Sequence, residues 1–250
     1  MKIKIKEYER RFNQVKGMAK LKSPQGKPDD AYTLAYSAAL QLLVRSKFLF
    51  FATLDESKKR NAYAAYVLVR AFFETSMAVG YLSIKLSKKT KNNDPEGVWV
   101  LAHRILQGGK YFPSDESLEE TGGERVPAIH VYDYLDEVDR DIRQKDKSSS
   151  KAISPHREMY DAVLSEFGHP NHLGLNICTV MNRDLDGNLS KKVNLNKSTG
   201  EGDKKNYLNY LSWGSLIFFY YWDKLIVQFK QYDLGLPKLE VDREKRGADV

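Results

Sequence analysis

Arg70 and Glu74 stand four residues apart within the stretch from Ala64 to Leu82, AAYVLVRAFFETSMAVGYL, which is apolar around every side of a helix. At that spacing the two charges share a helix face and can pair, and charges in apolar surroundings persist only when paired and hydrogen-bonded. Such a pair is either a strut or part of a site. A second polar cluster lies far downstream, where Tyr160 is followed by the run His169-Pro170-Asn171-His172. Histidine is the side chain best suited to proton transfer near neutrality, and the chain has five: His103, His130, His156, His169 and His172. His169 is the best placed of them. It falls at an expected helix terminus, beside a proline that fixes the local path, and Asn171 and His172 complete a compact polar corner. It can serve there as an acid or base, or as a cap hydrogen-bonded to a backbone carbonyl. A metal shared by His169 and His172 is poorly supported, because they stand across a proline with no adjacent carboxylate run. No metal and no cofactor is therefore expected.

The elements that must position these residues are legible as helices. Residues 1–29 read as a basic N-terminal arm with one short amphipathic stretch, Tyr8 to Val15, before the linker SPQGKPDD. A bundle domain is expected over 30–235 and a C-terminal tail over 236–250. Its first helix starts at an N-cap, Asp29 or Asp30, and runs to Leu54, with a short break at Asp55 to Ser57. The helix carrying Arg70 and Glu74 follows, from about Lys58 to Lys88, antiparallel to the first because only a few residues connect them. Further helices are predicted at Pro95 to Leu106, at Ala128 to Lys145 with an acidic outer face, and after Ser154, which caps a helix opened by Pro155. On that helix Tyr160, Val163, Leu164 and Phe167 recur at helical spacing, and Gly168 and Pro170 stop it beside His169. Beyond it, Leu175 to Met181 and Leu189 to Leu195 flank Asp186-Gly187, a hairpin signal. The final helix, about Lys205 to Tyr232, carries enough tyrosine, phenylalanine and tryptophan to demand a buried packing partner, a second subunit among the candidates.

Composition bounds the function classes. With 250 residues of which 42% are hydrophobic, the chain can bury a sizeable core, so disorder throughout is excluded. A single cysteine, Cys178, leaves no intramolecular disulfide and no multi-cysteine zinc site, in keeping with a reducing cytoplasm. MKIKIK forms no signal-peptide core, and the apolar stretches Leu34 to Leu54 and Leu211 to Trp222 read as buried helices rather than membrane spans, so a cytoplasmic protein without membrane contact is expected. The net charge of +7 is unevenly spread, with lysines grouped at Lys85, Lys88, Lys89 and Lys91 and acids at Asp115 to Glu124 and Asp133 to Asp141. A polyanion would therefore meet one side only. Neither a G-x-S-x-G nucleophile elbow nor a Gly-rich phosphate loop is present, which disfavours a small-molecule hydrolase or a nucleotide hydrolase.

The R-x-x-x-E of Arg70 and Glu74, followed by Y-x-x-x-L-S-E-F-x-H-P-N at Tyr160, Leu164, Ser165, Glu166, Phe167, His169, Pro170 and Asn171, resembles a poorly characterised bacterial helical branch of the HEPN superfamily. That resemblance spans roughly residues 30 to 230. It implies an all-α HEPN-like helical bundle, here with a small β-hairpin after the His169 helix, that forms a homodimer. It further implies RNA binding or metal-independent endoribonuclease activity in a toxin or antiphage system, with RNA or nucleotide as ligand and a cognate antitoxin or defence protein as partner. The usual catalytic motif of that superfamily, an arginine four to six residues before a histidine, does not precede His169; a literal match occurs at Arg125-Val-Pro-Ala-Ile-His130. The resemblance implies Arg70, Glu74 and His169 as the catalytic set, converging through helix packing, with Arg70 stabilising a pentavalent phosphate, His169 transferring a proton and Glu74 orienting Arg70 or acting as the second acid or base. Tyr160, Asn171, His172, Arg125 and His130 are secondary candidates. The contrasting reading is a non-catalytic nucleotide-binding or protein-interaction module, in which Arg70, Glu74 and His169 form a structural network.

Overall fold

The computed structural model describes residues 4–15, 31–107, 127–145, 155–167, 179–183, 189–193, 201–234 and 236. The chain is an all-α bundle: α1 (Ile5–Asn13), α2 (Ala31–Lys58), α3 (Ala62–Lys91), α4 (Pro95–Gln107), α5 (Val131–Lys145), α6 (Pro155–Met159) and α7 (Glu201–Lys230). Between α6 and α7 one antiparallel ribbon pairs β1 (Thr179–Arg183) with β2 (Leu189–Val193), Thr179 opposite Val193. The hairpin read from Asp186-Gly187 is thus present as a strand pair, and its turn lies outside the described residues.

Helix α3 is the centre of the bundle, packed along most of its length against α2 and α7 and flanked by α4 and α5. α2 and α3 are long and apolar enough to cross a bilayer by length and composition, and both bury much of that stretch inside the bundle. The break between them falls later than Asp55 to Ser57. Helix α2 continues through Lys58 because Ser57 is buried, its hydroxyl accepting from Tyr207 at 2.9 Å. The turn comes where Arg60 adopts φ 58° and Asn61 caps α3, its side-chain oxygen accepting from the Ala64 N–H at 3.2 Å. The caps read at Asp29 or Asp30 and at Ser154 lie outside the described residues, while Pro155 does open α6.

Packing bears on two of the sequence readings. The basic arm is not peripheral along α1, where Tyr8 and Phe12 turn into the core while Lys6 and Arg10 face outward. Phe12 is enclosed by the rings of Phe50, Phe72, Phe218 and Phe219 at centroid distances of 5.0, 6.2, 5.2 and 4.8 Å. Arg11 holds α1 to α7 through Asp223 at 3.0 Å. Second, the ring density of α7 is used within the chain: Tyr207, Phe218, Phe219, Tyr221, Trp222 and Phe229 are all buried in this one core. It does not by itself call for a second subunit.

Close approach of three helices fixes Gly80. A Cβ there would meet Val138 Cγ2 of α5 at 2.6 Å and Tyr221 Cδ2 of α7 at 3.1 Å. Gly80→Ala should therefore destabilise the fold by about 1–3 kcal/mol, despite alanine's better helix propensity. Urea unfolding measures it, and a gain in stability would mean that α5 yields at this crossing.

Candidate functional site

The site is built where the chain leaves α6. The regular helix predicted through Phe167 changes form: α6 lasts five residues, Tyr160–Leu164 make a π turn, and Ser165–Phe167 close as a 3₁₀ turn. The apolar spacing still holds, because Tyr160, Leu164 and Phe167 all reach the core, and Phe167 stacks on Tyr66 of α3 at 4.0 Å. The wider π turn sets Tyr160 and the Ser165 carbonyl against the same turn of α3.

There Arg70 meets both. Its Nε donates to Glu74 Oε1 at 2.9 Å, one terminal nitrogen donates to the Tyr160 hydroxyl at 3.0 Å, and the other reaches the Ser165 carbonyl at 3.4 Å. Tyr160 in turn donates its hydroxyl hydrogen to Glu74 Oε1 at 2.6 Å. Burial opposes the charge on Arg70, but the bond to Glu74 and the phenol beside it leave the guanidinium above its ordinary pKa. Tyr160, 3% exposed, is pushed far upward by burial and by Glu74, so its hydroxyl stays a donor. The ion pair is less enclosed than the apolar sequence around it suggests, with side-chain exposures of 21% for Arg70 and 31% for Glu74. Glu74 Oε1 receives both bonds, and Oε2 takes none among the described residues.

A second layer surrounds this triad. Tyr132 of α5 packs edge-on against Tyr160 at 6.1 Å and donates to Asp161 at 2.8 Å. Arg157 lies 4.6 Å over the Tyr132 ring and grips Asp136 with two bonds of 3.0 and 2.9 Å. His130 is exposed at the start of α5, where its ring nitrogen accepts from the Tyr132 N–H at 3.3 Å and its ring lies 5.1 Å from that of Tyr132. Among the described residues it reaches the triad only through Tyr132. Arg125, His169, Asn171 and His172 lie outside the described residues.

Sequence reasoning missed the group that anchors α6. The acids of α5 were read as an outer face, yet Glu137 is 3% exposed and Asp139 is 0% exposed. Asp139 accepts the Nδ1–H of His156, and also the backbone N–H groups of His156 at 3.4 Å and Arg157 at 3.3 Å. His156 is itself buried against Phe73 and Trp213. The signal was available: Asp139 interrupts the stripe Leu135, Val138, Ile142 at a position facing the core. Tyr132 and Asp161 had no comparable signal, since their pairing depends on how α5 and the π turn meet.

Among the described residues no group of three or more His, Cys, Asp and Glu side chains could hold a metal ion. Comparison with protein-family models, curated proteins and solved structures gave no match.

Proposed function

We propose that this chain is an HEPN-like protein that binds and cleaves RNA without a metal, at the site formed by Arg70, Glu74 and Tyr160 with His169 supplied by the segment that follows Phe167. The observation that carries this reading is Glu74: Arg70 and Tyr160 fix one of its oxygens, while the other is unbonded among the described residues on a side chain still open to solvent. A carboxylate so oriented can take the proton of a 2′-hydroxyl, and an adjacent guanidinium with raised pKa can balance charge developing on phosphorus. The homodimer, the toxin or antiphage setting and the cognate partner belong to the same reading, on the strength of the sequence resemblance.

One observation favours a different reading. Every nitrogen of the Arg70 guanidinium already has a partner within the chain, as a purely structural network or a non-catalytic binding module would need. RNA cleavage in excess chelator separates the two. Under the catalytic reading Glu74→Gln, Tyr160→Phe and His169→Ala each lose about 10²-fold or more of the wild-type rate while remaining folded, and His130→Ala does not. Glu74→Ala should cost only about 1–2 kcal/mol of stability, because solvent reaches both partners of the pair. An absence of cleavage by the wild type, together with a larger stability loss in Glu74→Ala, would favour the structural network.

A further inference from the structure

A groove of about 680 Å³ lies between the C-terminal half of α3, the end of α5 and the C-terminal third of α7, distinct from the Arg70 site. Lys88 and Lys91 line it from α3, Lys145 from α5 and Lys224 from α7. Three of these four are paired within the chain. Lys88 at 2.6 Å, Lys85 at 2.9 Å and Arg140 at 2.5 Å all converge on the buried carboxylate of Glu137. Lys145 and Lys224 likewise share Asp141, which also accepts from the Tyr221 hydroxyl at 2.8 Å. Lys224 further rests 4.1 Å over the Tyr220 ring.

Of the lysines that line the groove, Lys145 and Lys224 are held by Asp141, Lys88 by Glu137 outside the lining, and Lys91 has no ion-pair partner among the described residues. Asp223, the other acid of the groove, is matched by Arg11. Four lysines therefore line the groove against two carboxylates, Asp141 and the exposed Asp223, so a surplus of positive charge remains in the concavity. Although burial pushes both acids upward, their lysine partners hold Glu137 and Asp141 below the ordinary carboxylate range, so neither loses its charge near neutrality. Burial raises the phenol of Tyr220 as well, but Lys224 and Lys145 bring it below its ordinary value, which reports the same positive field.

We propose that this groove binds a ligand carrying two or more linked phosphate groups, gripped by Lys88, Lys91, Lys145 and Lys224. Ammonium groups serve phosphate as point charges, and this one site gathers four from three helices. The lining runs from Ser83 to Lys91 and from Tyr220 to Gln228, about 12 Å along each helix, a length suited to a compact polyphosphate rather than a long strand. The lysines grouped from Lys85 to Lys91 therefore divide three ways: Lys85 and Lys88 pair with Glu137, Lys89 with Asp94, and Lys91 is left to this opening.

Titration calorimetry on the full chain, without added metal, tests the assignment with inorganic tripolyphosphate, ATP and a short single-stranded RNA. The expected result is saturable binding of tripolyphosphate that weakens roughly tenfold in Lys91→Glu and in Lys224→Glu. Lys91→Glu disturbs no ion pair among the described residues, so it should stay folded with only a small shift of its unfolding curve from the reversed charge in the last turn of α3, which leaves the binding change interpretable. Equal affinity for ATP would place recognition in the phosphates alone, and tighter ATP binding would add the base, with Tyr220 the ring to stack on it. Failure of tripolyphosphate and ATP to bind, or binding that both variants leave unchanged, overturns the proposal. So does lysine-dependent binding of RNA alone, which would make the groove a strand track.

Discussion

Phe12→Ala should lower the stability of the whole bundle by about 3–5 kcal/mol, with urea unfolding as the measurement. The ring stands at the junction of α1, α2, α3 and α7, where Phe50, Phe72, Phe218 and Phe219 each lie within 6.2 Å. Truncation removes buried apolar area, leaves a cavity that four long-helix residues cannot collapse to fill, and deletes ring-to-ring contacts worth more than their area. Phe12→Leu should recover most of the loss. A cost below about 1 kcal/mol for the alanine variant would mean that α1 leaves the core readily, and that the bundle is complete without it.

The other large effect belongs to Asp139. Asp139→Ala removes the acceptor for the His156 ring and for two backbone N–H groups at the start of α6, all in the interior. Each donor left without a partner in the interior costs about 1–3 kcal/mol, so losing the acceptor of three should cost several kcal/mol. Because Tyr160 directly follows α6, the same variant should weaken any activity of the Arg70 site, although Asp139 touches none of its residues. Asp139→Asn, which retains shape and one acceptor oxygen, should fall between the variant and the wild type in both measurements. Stability losses without any change in activity would separate the anchoring of α6 from the placement of Tyr160.

What could be read from the residues, and what could not, follows from the range of the forces involved. Helix positions are local, set by apolar periodicity and by starts such as Pro95 and Pro155, and they were legible to within a few residues. The pairing of Arg70 with Glu74 was legible for the same reason, being one turn of one helix. The approach of Tyr160 to that pair was suggested by residue types, but its geometry rests on a π turn that no local propensity announces. Charge misled twice. Lysines around Tyr8 and Phe12 disguised a core helix as an arm, and the acids of α5 disguised two buried carboxylates as a solvated face. In both cases the decisive contacts are with residues distant in sequence, Phe219 for Phe12 and His156 for Asp139.

The π turn at Tyr160–Leu164 makes the site sensitive to helix winding in a way that substitutions do not probe. Such a turn is an α-helix holding one residue more than its hydrogen-bond ladder requires. Were the turn rewound into the ordinary ladder with no residue removed, everything downstream would swing by about 100° around the helix axis. The Ser165 carbonyl would turn away from Arg70 and Phe167 from its stack on Tyr66, with every side chain of the site still present. Alanine scanning would find nothing at Ala162, which bears no functional group, yet the winding of that turn helps set where Arg70 finds its partners.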